Sequence, residues 1–288
     1  MSKIYEIYQK VTDNIISKLE SAGSWQKLWN VTPPMNLSGR YYHGVNFLLL
    51  SSDEYSIPVY GTFNQIRQNG GQVKRGEKAT LIVFWSFITD ADPETGKTEK
   101  KYFLKYYNVF NVSQADFDSI GKEKINQLAR VIDNPVYPTA ESVIASFIDP
   151  PVIFHDKSDR ASYFRHLDRI RIPEIQWFQG SDEYYHTLFH ELIHSTAHSK
   201  RLDRFAMYKD FNEEQLHSYS KEELVAELGA SYLSAYCGLK PGIDNSAAYI
   251  HGWSSKLKEN TSWIIWAANR AQEAANFILQ KEIKEVEV

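Results

Sequence analysis

The sequence predicts an α+β protein in two parts: a first half with a small antiparallel sheet, and a mostly helical second half with a small sheet of its own. Three observations predict it. Apolar residues at Ile4, Ile7, Tyr8, Val11, Ile15, Ile16 and Leu19 follow helical spacing. Two apolar and aromatic runs, 80–88 and 102–112, flank the polar turn Asp92-Pro93-Glu94-Thr95-Gly96-Lys97 and read as a hairpin. From residue 181 onward the pattern is helical three times over, at 181–199, 220–236 and 261–283, the last rich in Ala.

The elements follow in order. After the helix at 4–19, residues 25–36 are irregular, with Pro33-Pro34 inside them. Gly39 and Gly44 punctuate a short aromatic stretch. Residues 63–69 form a short helix closed by Gly70-Gly71, and the hairpin comes next. Asn134-Pro135, Pro138 and Asp149-Pro150-Pro151 then interrupt the chain. These interruptions place the start of the second half near Asp133, and we divide the chain into domains at 1–125 and 151–288, with 126–150 as a linker region. Residues 152–155 and 168–172 read as strands ahead of the three helices.

Composition narrows the classes. At 288 residues and 43% hydrophobic, the chain is long enough for two cores. Cys237 is the only cysteine, which excludes an internal disulfide and a thiolate zinc cluster. The longest apolar runs, such as 45–50, are too short to span a bilayer, and the N-terminus lacks the apolar stretch of a secretory signal. A cytoplasmic protein without a membrane partner is the expectation. The net charge of −4 argues against a protein that coats nucleic acid as a whole. Residues 1–125 carry 15 Lys and Arg against 13 Asp and Glu, and the remainder 17 against 23. Any polyanion would therefore meet the first half.

His190-Glu191-Leu192-Ile193-His194 carries the chemistry. On a helix, residues four apart share a face, so His190 and His194 can hold one zinc ion. Glu191 beside them can take a proton from zinc-bound water, which makes it the candidate catalytic residue. Zinc needs a third protein ligand, for which there are three candidates. His198 lies one further turn along, but an extended histidine motif needs a Gly to break the helix, and Ser195-Thr196-Ala197 intervenes. His217 is isolated. Glu223 sits in Glu223-Leu224-Val225-Ala226-Glu227-Leu228-Gly229-Ala230, with carboxylates one turn apart beside small residues that permit close packing. A solvated charged face is the competing reading of Glu222, Glu223 and Glu227. We assign Glu223 as ligand, with Glu227 accepting the second N–H of a ligand imidazole.

A carboxylate pair of this spacing after HExxH resembles the gluzincin arrangement. More closely, Tyr163, Asp168-Arg169-Ile170-Arg171-Ile172-Pro173, residues 184–196, Arg201-Leu202, residues 222–230 and Tyr249-Ile250 with Trp253 resemble the metallopeptidase domain of the ArdC antirestriction family. The first half resembles that family's DNA-binding domain. Its motif is visible in Trp25, Trp29, Pro34, Asn36, Ser38-Gly39-Arg40, Tyr42, Gly44 and Asn46. It continues in Gly70-Gly71, Val73, Gly76-Glu77-Lys78 and Val109-Phe110-Asn111-Val112. Leu28 stands where the family usually has Pro.

The resemblance implies a protein of mobile elements that binds single-stranded DNA with residues 1–125, shields incoming DNA from restriction, and carries a zincin-like zinc metallopeptidase domain. On that premise, the DNA-binding candidates are Arg40, Tyr42 and Asn46 in one aromatic and basic cluster, and Lys74, Arg75 and Lys78 on a Gly-rich turn. Single-stranded DNA is then one partner and a protein or peptide substrate another. Two alternatives compete: an intracellular zinc metallopeptidase with a protein-recognition N-terminal domain, and a DNA-binding protein with a catalytically silent zinc site.

Overall fold

Helix α1 (Lys3–Ala22) turns Ile7, Val11, Ile15 and Ile16 into the interior, as their spacing requires. A computed structural model describes residues 3–22, 33–51, 53, 55–91, 98–133, 138–158, 160–208, 214–239 and 247–281. Trp25, Trp29 and the turn at 92–97 lie outside the described residues.

The first half is built on a four-stranded sheet of order β1-β2-β5-β4, with β1 (Met35–Asn36), β2 (Val59–Thr62), β4 (Thr80–Ala91) and β5 (Thr98–Asn111). The long hairpin pairs Thr80 with Val109 and Ala91 with Thr98. Helix α3 (Phe63–Gln68) follows β2 through a capping box between Thr62 and Gln65. A small second sheet pairs β3 (Gly71–Val73) with β6 (Ala115–Phe117).

The punctuated stretch after Gly39 holds a helix that the sequence pattern did not show, α2 (Gly44–Ser51). All eight of its residues are buried. A helix without a polar face has no 3.6-residue alternation to read. Its one amide side chain has a structural task. Asn46 Nδ2 donates to Val83 O at 2.7 Å and Asn46 Oδ1 accepts from Val83 N at 2.8 Å, which satisfies the open edge of β4.

Helices α4 (Ser119–Asp133) and α5 (Ala140–Ser146) include residues of the segment 126–150. In the second half, β7 (Val152–Asp156) and β8 (Ser162–Phe164) flank β9 (Arg169–Pro173), parallel and antiparallel respectively. Four helices follow: α6 (Ser181–Thr196), α7 (Glu214–Tyr236), α8 (Ala247–Glu259) and α9 (Trp263–Leu279). Ala267, Ala268, Ala271, Ala274 and Ala275 are all buried along α9, and such small side chains let α7 approach closely.

The helix ends differ from the sequence pattern for local reasons. Helix α6 stops at Thr196, where the Ser195 and Thr196 hydroxyls donate back to Leu192 O and Ile193 O. Helix α9 stops at Leu279 because Gln280 adopts a left-handed conformation, φ 52°. The largest apolar cluster draws on both halves, from Ile7 and Phe47 to Leu192 and Ile264. Thr12 Oγ1 donates to Thr261 O, and Gln272 Oε1 accepts from Gly44 N. Among the described residues, no helix is long and apolar enough to cross a membrane.

Candidate metal centre

Helix α6 has Asp182 and Glu183 in its first turn, where carboxylates suit the helix dipole. Its apolar face, with Leu188, Phe189, Leu192 and Ile193, is buried. The fourfold spacing then places His186, His190 and His194 in one row facing α7. The two helices touch closely at Gly229, where an added Cβ would lie 2.6 Å from Ile193 Cδ1. That closeness lets α7 carboxylates reach the imidazoles.

The structure brings His190, His194 and Glu223 together. His190 Nε2 and His194 Nε2 are 3.1 Å apart. Glu223 lies 3.5 Å from the first and 3.3 Å from the second. A tetrahedral ion with bonds of about 2.0–2.2 Å sets donor separations of about 3.3–3.5 Å, so this group fits a zinc ion. Glu227 Oε2 stands 3.3 Å from His190 Nδ1, on the far side of that ring, and Glu227 Oε1 is 3.8 Å from His186 Nε2. His186 Nδ1 in turn contacts Ser234 Oγ at 3.0 Å. His198 lies in the turn beyond α6, where its Nδ1 accepts from Lys200 N. The side chain of His217 lies outside the described residues.

Two residues near the site had no sequence signal. Glu222, for which a solvated face is the competing reading, is only 4% exposed, and Arg204 only 1%. Arg204 Nε and Nη2 donate to the two oxygens of Glu222 at 3.2 and 2.6 Å. Its remaining N–H groups reach Thr196 Oγ1 and Ile193 O, the carbonyl that also accepts from the Thr196 hydroxyl, in the last turn of α6. Glu222 Oε1 is 3.7 Å from His194 Nδ1, an electrostatic neighbour rather than a hydrogen bond. Each of the two imidazoles therefore has its own carboxylate behind it. The row including His186 could have been read from its spacing; Arg204 and its partner could not.

The field of the site is strongly negative. Burial pulls His190 down, but Glu223 and Glu227 more than offset it and lift this imidazole to about 10. His194 is likewise raised against burial by Glu222 and Glu223. Burial pushes Glu223 and Glu227 up, yet the facing imidazoles hold both far below the usual carboxylate range. The carboxylates that favour protons on these imidazoles also favour a divalent cation, which must displace those protons to bind. Glu191, 8% exposed, is close enough for its charge to raise His190.

The DNA-binding candidates separate into two groups. Arg40, Lys74, Arg75 and Lys78 are exposed. Lys74 Nζ donates to Ser113 O and lies 3.9 Å from Asp116. Tyr42 and Asn46 correct the expectation of an exposed cluster: both are 5% exposed. The Tyr42 ring packs with Leu50, Tyr60, Ile82 and Val109, and Asn46 is held by the β4 edge. The neighbouring Tyr41, 39% exposed, is accessible, as is His43.

Comparison with known proteins agrees with this architecture. Residues 5–110 match the N-terminal domain of anti-restriction factor ArdC, and residues 140–270 match a zincin-like metallopeptidase domain. The chain is 30% identical to a DNA primase TraC of Escherichia coli, over 97% of its own length and 28% of the primase. It thus spans a little over a quarter of that relative. It is also 30% identical to the uncharacterized protein y4eC of Sinorhizobium fredii, over 95% of this chain and 91% of that one. Among solved structures, the metal-free antirestriction protein ArdC of plasmid R388 superposes with a TM-score of 0.74 at 34% identity, covering 95% of this chain and 96% of that one. The Mn(II)-bound form of the R388 protein gives 0.72 at 32% identity, covering 95% and 97%.

Proposed function

Because this chain belongs to the ArdC antirestriction family, we propose that it shields the DNA of a mobile element in the cytoplasm, binding single-stranded DNA through its first half and hydrolysing a peptide substrate at its metal centre. The observation that carries the reading is the convergence of His190, His194 and Glu223 beside Glu191, on a scaffold shared with a solved antirestriction protein.

His190, His194 and Glu223 would hold the ion. When bound, zinc supplies a Lewis acid and makes water acidic near neutral pH. The remaining chemistry belongs to the chain. Glu191, between the two imidazoles in sequence, accepts the proton of the attacking water at its carboxylate. Glu227 orients His190 from behind by accepting at Nδ1, and the Glu222–Arg204 pair backs His194. Burial of these carboxylates keeps solvent from competing for the same contacts.

Glu191→Gln is expected to keep the fold and full metal content while lowering peptide hydrolysis by at least about 100-fold. Metal analysis and a cleavage assay check this, and hydrolysis at the native rate would remove Glu191 from its role. For DNA, fluorescence anisotropy of the full chain should show single strands bound more tightly than duplex, because duplex bases are already stacked on one another. Lys74→Ala and Arg75→Ala should each flatten the slope of log affinity against log salt by about 0.7. Equal binding of both DNA forms would favour a peptidase whose first half recognises protein.

A further inference from the structure

The three-stranded sheet of the second half has one covered face and one open face. Ile170 and Ile172 on β9 are fully buried on the covered side. Phe154 pairs with Arg171, Val152 with Arg169, and Phe164 with Arg169. Side chains alternate along a strand, so Val152, Phe154 and Asp156 on β7, Ser162 and Phe164 on β8, and Arg169 and Arg171 on β9 share the opposite face. That face is open to solvent: Val152 is 59% exposed, Phe154 is 37% exposed, and Arg169 is exposed.

Its chemistry is unlike the acidic half around it. Residues 152–173 carry five Lys and Arg against three Asp. One of those acids, Asp168, is already taken by both Nη atoms of Arg201 at 2.9 Å. Arg169 makes no ion pair among the described residues. The Arg171 guanidinium lies 5.2 Å from the Phe164 ring centroid, its nearest carboxylate 3.9 Å away at Asp156. Arg171 Nε is buried without a hydrogen-bond partner among the described residues. The face thus presents two aromatic rings, two strands across and two residues along from each other and so roughly 12 Å apart, beside Arg169 and an Arg171 whose ion pair with Asp156 spans 3.9 Å.

We propose that this open face is a second binding surface for single-stranded nucleic acid, separate from the exposed basic residues of the first half. Bases stack on Phe154 and Phe164 while Arg169 and Arg171 meet the phosphates; this is the recurring chemistry of single-strand recognition. The surface goes beyond the DNA-binding reading of the first half, because it gives the metallopeptidase half its own contact with the strand. A bound strand would then hold the metal centre near whatever protein shares that DNA.

The test uses the full chain. A single-stranded oligonucleotide of about 30 residues carrying photoreactive iodouracil is cross-linked and the adducts are mapped by mass spectrometry. Adducts are expected within residues 152–171. Phe154→Ala should weaken binding by about five-fold or more at every salt concentration, and Arg169→Ala should lower the salt slope by about 0.7. Adducts confined to residues 1–125, with both variants binding like wild type, would overturn this surface and leave the first-half reading standing. Adducts confined to 152–171 would support this surface and remove the other. Absence of cross-links throughout overturns both. Sedimentation showing a dimer that Phe154→Ala dissociates would give the face to a second copy of the chain and overturn the proposal.

Discussion

Glu223→Ala protein will have lost more than about 100-fold in zinc affinity, whereas Glu227→Ala will have lost about 10–100-fold. The difference comes from where the two carboxylates stand. Glu223 lies within 3.5 Å of both Nε2 atoms, in the space an ion would share. Glu227 touches only the Nδ1 side of His190 and acts on the ion through that ring. On the proposed assignment, removing Glu223 would delete a ligand and removing Glu227 would loosen one. Competition against a calibrated chelator measures both constants. The assignment would be overturned by full affinity in Glu223→Ala together with loss of the metal in Glu227→Ala or His198→Ala.

Glu222→Ala, one residue away, should leave a ligand set intact but cost about 3–5 kcal/mol of folding stability. Its partner Arg204 is almost wholly buried, and without the carboxylate it becomes an uncompensated charge in a dry interior. Against a total of about 5–15 kcal/mol for a typical domain, that is a large share. Urea unfolding of the metal-free protein measures it. Glu222→Leu combined with Arg204→Leu should be less destabilised than either single variant, because both charges leave together. A loss under about 1 kcal/mol for Glu222→Ala would show that the pair does not hold α6 and α7 together.

The pH dependence has a definite sign. Burial raises the Glu222 carboxyl, but Arg204 and His194 more than offset this and hold it below its ordinary value of 4.5. A depressed folded-state pKa means this contribution is complete above about pH 4.5 and is lost as the pH falls through the folded value.

What the sequence could show was set by short-range geometry. The hairpin of β4 and β5 was legible because two apolar and aromatic runs on either side of a polar turn leave a local trace. Helix α2 left none, since every side of it is buried. Tyr42 shows the same limit at a single residue: an aromatic beside an Arg reads alike whether its ring faces solvent or, as here, Tyr60 and Val109.

For the metal centre, the sequence by itself determined that His190 and His194 share a helix face with Glu191 beside them, because the helix pitch makes this so whatever surrounds it. It also offered three candidates for the third ligand, His198, His217 and Glu223, and preferred Glu223. Only the tertiary structure brings Glu223, and not His198, up to the two imidazoles. Adjacent residues on α7 point about 100° apart, so which of Glu222 and Glu223 meets the imidazoles depends on the rotation of α7 against α6. That rotation is set by Gly229 seated on Ile193, by Arg204 bridging Glu222 to the end of α6, and by the alanine face of α9 behind them. These are contacts between segments distant in the chain, and no local spacing encodes the distance across them.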